Sequence, residues 1–286
     1  MLLLQLLING LVTGCALGVI AISFSLAYST TRIFHVAHAG VYTLAGYVAF
    51  ALAGLGVPDM VALLAAMAVC ALVGALIQSE LYARLARRRA THLGVLIASL
   101  GVLAVIQNLL SGVFTPNIRP FASAWRGRTL SFGGVTLTQV QLVTLVVCAA
   151  VYPAALLFTR RTVLGKQIRA VASNPFLAEI TRLEPQKTYI IVMAIASAMV
   201  AIPGVLVALD FGVQPYDGTT VLLTATIAVI AGGVGSLTGA FLMAVLISVL
   251  QNLSLLVISG EWSVGVTFLI FLIFMLFRPR GLFTRR

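Results

Sequence analysis

The residues of this chain that could carry chemistry are few, and they do not form a catalytic motif. The pair Gly165–Lys166 is followed by glutamine and not by serine or threonine, so the sequence lacks a nucleotide-binding loop. His35 and His38 share a helix face at i and i+3, whereas His92 lies far along the chain, which is not the spacing of a metal site. The sequence therefore predicts no catalytic residue, no metal site and no cofactor bound by this chain.

Polar side chains inside apolar runs are instead candidates for a transport path. On this ground we select His38, Tyr42, Thr224 and Asn252. Two interpretations of His35 and His38 stay open. They could lie at the membrane interface and bond backbone or headgroups, or they could line a gate or a path.

The most structured polar segment is 159–188, TRRTVLGKQIRAVASNPFLAEITRLEPQKT. Asn174–Pro175 predicts the end of one helix and the start of another, because asparagine is a favoured N-cap and proline suits the first helical position. Glu184–Pro185 predicts a second helix start of the same kind. The two-turn helix between them has apolar and charged residues at helical spacing: Phe176, Leu177 and Ile180 against Glu179 and Arg182. Such a helix could dock into a groove of another protein or lie among lipid headgroups, and the pattern favours neither.

The elements that position these residues must be membrane-spanning helices. Of 286 residues, 61% are hydrophobic and 9% are charged, with a mean hydropathy of +1.12, whereas about 25% of a soluble domain is charged. Uninterrupted apolar runs of about 20 residues predict spanning helices, and the absence of alternation excludes a barrel. We expect an all-α, polytopic bundle of eight or nine spans in a single transmembrane domain, 1–286.

The candidate spans are 3–29, 38–57, 59–79, 93–114, 138–158, 188–209, 219–234, 236–258 and 262–277. Segment 219–234 is short and interrupted by glycines, so it could be re-entrant. The net charge of +11 is concentrated at 84–89, 160–187 and 278–286, beside the ends of apolar runs. This is the positive-inside pattern, which places these clusters in the cytoplasm and the N-terminus outside. The same distribution excludes nucleic acid as a partner and makes membrane lipid the expected surroundings.

Glycines at every fourth position predict packing faces. Gly10, Gly14 and Gly18 form such a ridge in the first span, and Gly235 and Gly239 repeat it near the penultimate one. Each ridge could pack inside the chain or against a second copy. No internal repeat is visible in the sequence.

Five segments, in order along nearly the whole chain, resemble the permease subunits of bacterial ATP-binding-cassette importers for branched-chain amino acids. They are NGLVTGCALGVIAISFSLAYS, IFHVAHAGVYTLAGYVAF, RAVASNPFLAEI, AVIAGGVGSLTGAFLMAVLISVLQN and FRPRGLF. In that family the cytoplasmic loop is a coupling helix that sits in a cleft of an ATPase subunit. The resemblance implies coupling residues in this loop: Arg169, Ala170, Asn174, Pro175, Phe176, Ala178 and Glu179.

The resemblance also implies partners and a location. ATP and Mg would be bound by separate cytoplasmic ATPase subunits. A second permease subunit, the same or different, would share the path, and a periplasmic substrate-binding protein would deliver the solute. The chain would lie in the bacterial inner membrane.

Departures from the family pattern leave the substrate open. Ala39 and Gly40 stand where the family usually has glycine and glutamate, and His35 replaces asparagine. Relatives also carry urea, short amides and other small acids. The alternative function is a stand-alone ion-coupled carrier or channel, for which Asp210 is the nearest candidate carboxylate.

Overall fold

The computed structural model describes residues 1–121, 125, 129–132, 134–278 and 281–282. Residues 279, 280 and 283–286 of the predicted basic tail, three of them in FRPRGLF, lie outside the described residues. The helices and strands are α1 Leu2–Thr31, α2 His38–Gly54, α3 Asp59–Leu76, α4 Ala83–Arg87, α5 His92–Phe114, β1 Thr129–Phe132, β2 Val135–Thr138, α6 Gln139–Arg161, α7 Val163–Ser173, α8 Pro175–Ile180, α9 Pro185–Phe211, α10 Asp217–Gly232, α11 Leu237–Ser254 and α12 Ser263–Phe277.

Within the described residues, seven helical stretches are long and apolar enough to cross a membrane. The two other predicted spans are shorter helices, α2 with 17 residues and α10 with 16. An α-helix needs about 20 residues to cross the hydrocarbon core. The predicted all-α bundle is therefore confirmed, with nine membrane segments of which two are short.

Helix α3 runs further than predicted. It continues through a π-helical turn, Ile77–Tyr82, into α4 and ends at Arg87, not at residue 79. The predicted span stopped where polar and charged residues begin, but such residues do not terminate a helix. An ion pair between Glu80 and Arg84, at i and i+4, stabilises this extension.

The outer connection between α5 and α6 contains a small antiparallel hairpin that the sequence analysis did not predict. Strands β1 and β2 pair with Thr129 opposite Thr138. The side-chain oxygen of Gln5 accepts a hydrogen bond from the Thr136 N–H at 2.9 Å, and the side-chain amide of Gln5 donates one to the Thr136 carbonyl at 2.8 Å. The hairpin is thereby fastened to the outer end of α1.

The first and last parts of the bundle are arranged as an inverted repeat. Helices α1, α2, α3 and α5 correspond to α9, α10, α11 and α12. Helix α1 packs along α11, and its counterpart α9 packs along α3. Helix α2 contacts α9, α3 and α5, and its counterpart α10 contacts α1, α11 and α12. Because α1 runs inward and α9 outward, the two halves are related by a pseudo-two-fold axis in the membrane plane. The repeat is kept in the packing although the sequence does not show it.

The glycine ridge of α1 faces α11 of the same chain. A Cβ atom added to Gly10 would lie 2.8 Å from the Cα of Val249, and one added to Gly14 would lie 2.9 Å from the Cα of Val245. At Gly18 it would lie 2.5 Å from the ring of Phe241. The two backbones are in direct contact, as small residues permit in lipid.

The position of Gly235 contradicts the predicted second glycine ridge. It lies before α11, in the turn that follows α10, and has a φ of 87°. This left-handed conformation suits glycine and belongs to a turn. Gly235 and Gly239 therefore do not share a helix face. Gly239 is inside α11, where its backbone packs against Gly232 of α10.

Candidate functional site

The cytoplasmic segment consists of two short helices, each started by a side-chain cap. The Thr162 hydroxyl accepts a bond from the Gly165 N–H at 3.0 Å, which starts α7. The Asn174 side-chain oxygen accepts one from the Leu177 N–H at 3.1 Å, which starts α8. Pro175 occupies the first position of α8.

Helix α7 is anchored on the spans. Its buried Ile168 packs with Leu26 of α1 and Val192 of α9. The Arg32 guanidinium at the end of α1 donates to the carbonyl of Ala172 at 3.4 Å. Helix α7 is therefore in direct contact with both α1 and α9.

Helix α8 exposes its apolar side chains. Phe176 is 70% exposed, Leu177 57% and Ile180 66%, whereas Ala178 is buried against the chain. Three large apolar side chains on two exposed turns form an unpartnered surface, which is typical of a docking site.

The other predicted coupling residues lie in the same cytoplasmic segment. Arg169, Ala170 and Glu179 are exposed. The Arg169 guanidinium donates to the carbonyl of Arg160 at 3.5 Å, and the carbonyl of Ala170 accepts from the Asn174 N–H at 3.0 Å. Residues 169–179 thus form one continuous cytoplasmic element.

His35 and His38 lie inside the bundle and reach neither headgroups nor solvent, since both are at most 1% exposed. The Tyr82 hydroxyl donates to Ser99 Oγ at 2.8 Å, so His35 Nδ1–H donates to Tyr82 at 2.8 Å. His38 Nε2 contacts Ser23 Oγ at 2.9 Å. The interfacial interpretation is therefore wrong, because the segment between α1 and α2 folds back into the bundle.

This network predicts a measurable effect on stability. Replacing Tyr82 by phenylalanine removes the hydrogen-bond partner of the buried His35 and one of the two bonds of Ser99, which still accepts from the Ala37 N–H at 3.0 Å. This loss is expected to destabilise the chain by about 1–3 kcal/mol. Thermal unfolding of the purified protein in detergent measures this loss. Tyr152→Phe is the matched control: its hydroxyl makes one partly buried bond of 3.2 Å to Thr238, so its loss should be smaller. Equal losses in the two variants would contradict the prediction.

The two short helices, α2 and α10, begin next to each other in the middle of the bundle. A Cβ on Gly218 would overlap the carbonyl of Ala39, so their first turns touch. His38 bonds to Ser23, which lies about 12 Å before the cytoplasmic end of α1. Thr219 accepts a bond of 2.9 Å from Gln107, which lies about 10 Å before the outer end of α5. Both N-termini are therefore at membrane depth.

A cavity of about 340 Å³ opens beside these N-termini, between α2, α9 and the start of α10. Its polar lining residues are Tyr42, Thr43, Tyr47, Gln214, Asp217 and Thr220. Its apolar lining residues include Val207, Ala208 and Val221. The volume is within the usual range of small-molecule sites, and so is the combination of apolar walls with a few polar groups.

The structure does not bring the four predicted path residues together. Tyr42 lines the cavity just described, while His38 belongs to the buried network. The Thr224 hydroxyl donates to the Thr220 carbonyl of its own helix at 3.1 Å. Asn252 lines a second, outer cavity of about 230 Å³ and donates to Thr13 at 3.3 Å.

Asp217 is the site residue that the sequence analysis missed. FGVQPYDGTT was assigned to an outer loop, but Asp217 is the first residue of α10 and lines the cavity, where it is exposed. An acidic residue directly before a short apolar run is a helix-start signal, and it would have identified this position.

Comparison with known proteins agrees with this arrangement. Residues 6–275 match the family model "Branched-chain amino acid transport system / permease component". The chain belongs to this family. It is 28% identical over 300 residues to the high-affinity branched-chain amino acid transport system permease protein LivH of Salmonella typhimurium, covering 99% of this chain and 96% of that protein.

Two further comparisons extend this result. The permease protein BraD of Pseudomonas aeruginosa is 28% identical over 296 residues, with 99% of this chain and 96% of BraD covered. A solved structure, PsaBC from Streptococcus pneumoniae in complex with Fab, aligns with a TM-score of 0.52 and 16% identity over 95% of this chain and 91% of that one. This structure shows a shared fold. As a permease component with seven long apolar helices in the part of the chain that the structure describes, the protein is a multi-pass protein of the inner membrane.

Proposed function

We propose that this permease component is one of two membrane subunits of an ATP-driven importer for branched-chain amino acids. The observation that carries the proposal is the similarity to LivH and BraD along 99% of the chain. The energy would come from cytoplasmic ATPase subunits that hold ATP and Mg, since this sequence has no nucleotide-binding loop. A periplasmic binding protein would supply the substrate.

The cytoplasmic helices offer a physical route for coupling. If a partner bound to the apolar side chains of α8 and displaced this helix, α7 would move with it, because only one residue, Asn174, separates the two helices. Helix α7 packs through Ile168 on α1 and α9. Helices α1 and α9 lead directly into the segments that precede the short helices α2 and α10. Nucleotide-driven closure of the ATPases would thus open and close the path by alternating access.

The alternative, an ion-coupled carrier built on Asp210, is weakened by the contacts of that residue. One carboxylate oxygen accepts a bond from Thr138 and the other from Gln141, each at 3.2 Å. These two residues also form the capping box at the start of α6. Asp210 therefore supports a helix start and the hairpin next to it.

Reconstitution in liposomes tests the proposed function. We expect ATP-dependent uptake of leucine, isoleucine or valine only when this chain is combined with its ATPase subunits, its permease partner and the loaded binding protein. The chain alone, under a proton or sodium gradient, should give background uptake. Uptake driven by an ion gradient without ATP would favour the carrier and overturn the proposal.

A further inference from the structure

Helix α10 is held at both ends by backbone hydrogen bonds to distant parts of the chain. In the segment that leads into it, Val213 exchanges two bonds with Arg119, of 3.0 and 2.9 Å, as an antiparallel bridge. At its cytoplasmic end, the carbonyl of Ala231 accepts a bond of 3.0 Å from the Leu282 N–H. We call these contacts the outer tie and the inner tie. Among the described residues, no other backbone bond outside the helices and the hairpin joins segments far apart in sequence.

Each tie contains a glycine with a positive φ, which is 96° at Gly212 and 78° at Gly281. A Cβ on Gly212 would lie 2.6 Å from the carbonyl oxygen of Arg119 in the outer tie. A Cβ on Gly281 would lie 2.7 Å from the Cα of Gly233, the residue that ends α10, in the inner tie. Backbone therefore packs directly on backbone at both ties, an approach that glycine permits and a side chain would block.

The two ties join α10 to α5 and α12, which are counterparts in the inverted repeat. Arg119 lies in the connection that follows α5, and Gln107 of α5 adds a side-chain bond of 2.9 Å to Thr219 in the first turn of α10. On the cytoplasmic side, the Gly281 N–H donates at 3.0 Å to the carbonyl of Arg278, the residue that ends α12. Helix α10 thus connects the outer end of one helix to the cytoplasmic end of its counterpart.

The counterpart of α10 in the repeat, α2, has no such backbone ties among the described residues. The backbone N–H groups that follow it, Leu55, Gly56 and Val57, donate to carbonyls of α2 itself. A Cβ on Gly56 would meet no atom within 4 Å, so this turn does not pack on another segment. The packing that both halves share therefore does not account for the two ties, which indicates a role specific to α10.

We infer that α10 is a rigid link that makes the outer end of α5 and the cytoplasmic end of α12 move together. The helix has 16 residues, about 24 Å, and its internal hydrogen bonds prevent it from stretching. A displacement of the α12 end would therefore shift the start of α10, which borders the cavity of about 340 Å³, and reach α5 through the outer tie. This inference rests on the proposed function. It deepens that function by naming the element that couples one side of the membrane to the other, as alternating access requires.

The test measures leucine uptake and ATP hydrolysis by the complete importer in liposomes, with loaded binding protein. Gly281→Ala forces the inner tie apart and is expected to lower uptake about tenfold, a usual size for the coupling between distant sites. ATP hydrolysis should continue, since the exposed surface of α8 is unchanged, so more ATP is consumed per leucine. A loss of folded protein alone would lower both rates and leave their ratio unaltered.

Gly56→Ala is the matched control. Gly56 has the same φ of 78°, but a Cβ there would meet no atom within 4 Å. The control therefore carries the same backbone strain without opening a contact, and it should transport leucine at the wild-type ATP cost. An equal rise of the ATP cost in Gly56→Ala and Gly281→Ala would overturn the link.

A double variant tests whether the two ties act through one helix. Gly212→Ala opens the outer tie, about 24 Å from the inner one along α10. If α10 is a link, breaking either end disconnects it, so Gly212→Ala combined with Gly281→Ala should transport no worse than the weaker single variant. Independent changes at sites this far apart add in free energy, so their losses multiply. Multiplied losses would show that each tie supports only its own surroundings and would overturn the link.

Leu282→Pro is a second variant of the inner tie that adds no Cβ beside Gly233. Proline has no backbone N–H, so this change removes the bond to Ala231. Thermal unfolding in detergent should stay near that of the wild type, while the ATP cost per leucine rises as in Gly281→Ala. Wild-type uptake and ATP cost in both inner-tie variants would overturn the link and leave the proposed function intact. Absence of ATP-driven leucine uptake by the wild-type importer would overturn the proposed function, and the link with it.

Discussion

Replacing Phe176 by aspartate is expected to abolish transport and leave the permease folded. The side chain is 70% exposed, so a charge there costs the isolated chain little. In the proposed complex, the same side chain would be buried in a groove of an ATPase subunit. An unpaired carboxylate in such a groove typically costs several kcal/mol, enough to lower uptake more than 100-fold. Uptake in liposomes and retention of the ATPase subunits on the purified permease measure the two effects.

Val163→Asp is the control for this substitution. Val163 is also an exposed apolar residue of the cytoplasmic segment, at 71%, but it lies at the start of α7, away from α8. An acidic residue at a helix start is favourable, so this variant should transport like the wild type. A transport-competent Phe176→Asp importer that retains its ATPases would show that α8 does not couple.

The sequence left two possible surroundings for α8, a protein groove or lipid headgroups, and Phe176→Trp distinguishes them. Tryptophan is favoured at a membrane interface, so a helix that lies in headgroups would keep its activity. A groove shaped for phenylalanine has no room for the larger ring, and overpacking destabilises a close interface. We expect Phe176→Trp to lose ATPase subunits in detergent, whereas normal retention and uptake would favour the lipid.

The helical bundle could be predicted because the bilayer imposes it. Every backbone polar group in hydrocarbon must be satisfied, so apolar runs of about 20 residues become helices. The predicted helix ends were less accurate where a helix continues beyond the membrane. Helix α3 continues to Arg87 because charged residues that leave the membrane can still be helical. Asn174–Pro175 was located correctly because capping is a local property that depends on a few adjacent residues.

The centre of the bundle could not be predicted for the opposite reason. The backfolded segments before α2 and α10 are defined by contacts across the bundle, such as Gly218 against Ala39 and Gln107 with Thr219. No local pattern records these contacts. His38 was selected as a path residue, but it is fully buried and bonded to Ser23. The inverted repeat escaped detection because packing can be kept while residue identities diverge.

The second large effect is expected at the contact between α1 and α11. Gly14→Leu should prevent the two helices from packing, because even a Cβ at this position would lie 2.9 Å from the Cα of Val245. Backbone atoms cannot rotate away, so α11 would have to move outward and lose its close contacts along α1. Such overpacking is expected to destabilise the fold by more than about 3 kcal/mol. Size-exclusion chromatography and thermal unfolding in detergent measure the loss of folded chain.

Gly101→Leu provides the matched control, because it makes the same change inside another membrane helix. A Cβ on Gly101 of α5 would meet no atom within 4 Å. Leucine also has a higher helix propensity than glycine, so this variant should fold at least as well as the wild type. Gly14→Ala should be intermediate, since a single methyl group forces a smaller displacement. If Gly14→Leu proved as stable as Gly101→Leu, the α1–α11 backbone contact would not hold the bundle together, and the small-residue ridge would have to serve a surface outside this chain.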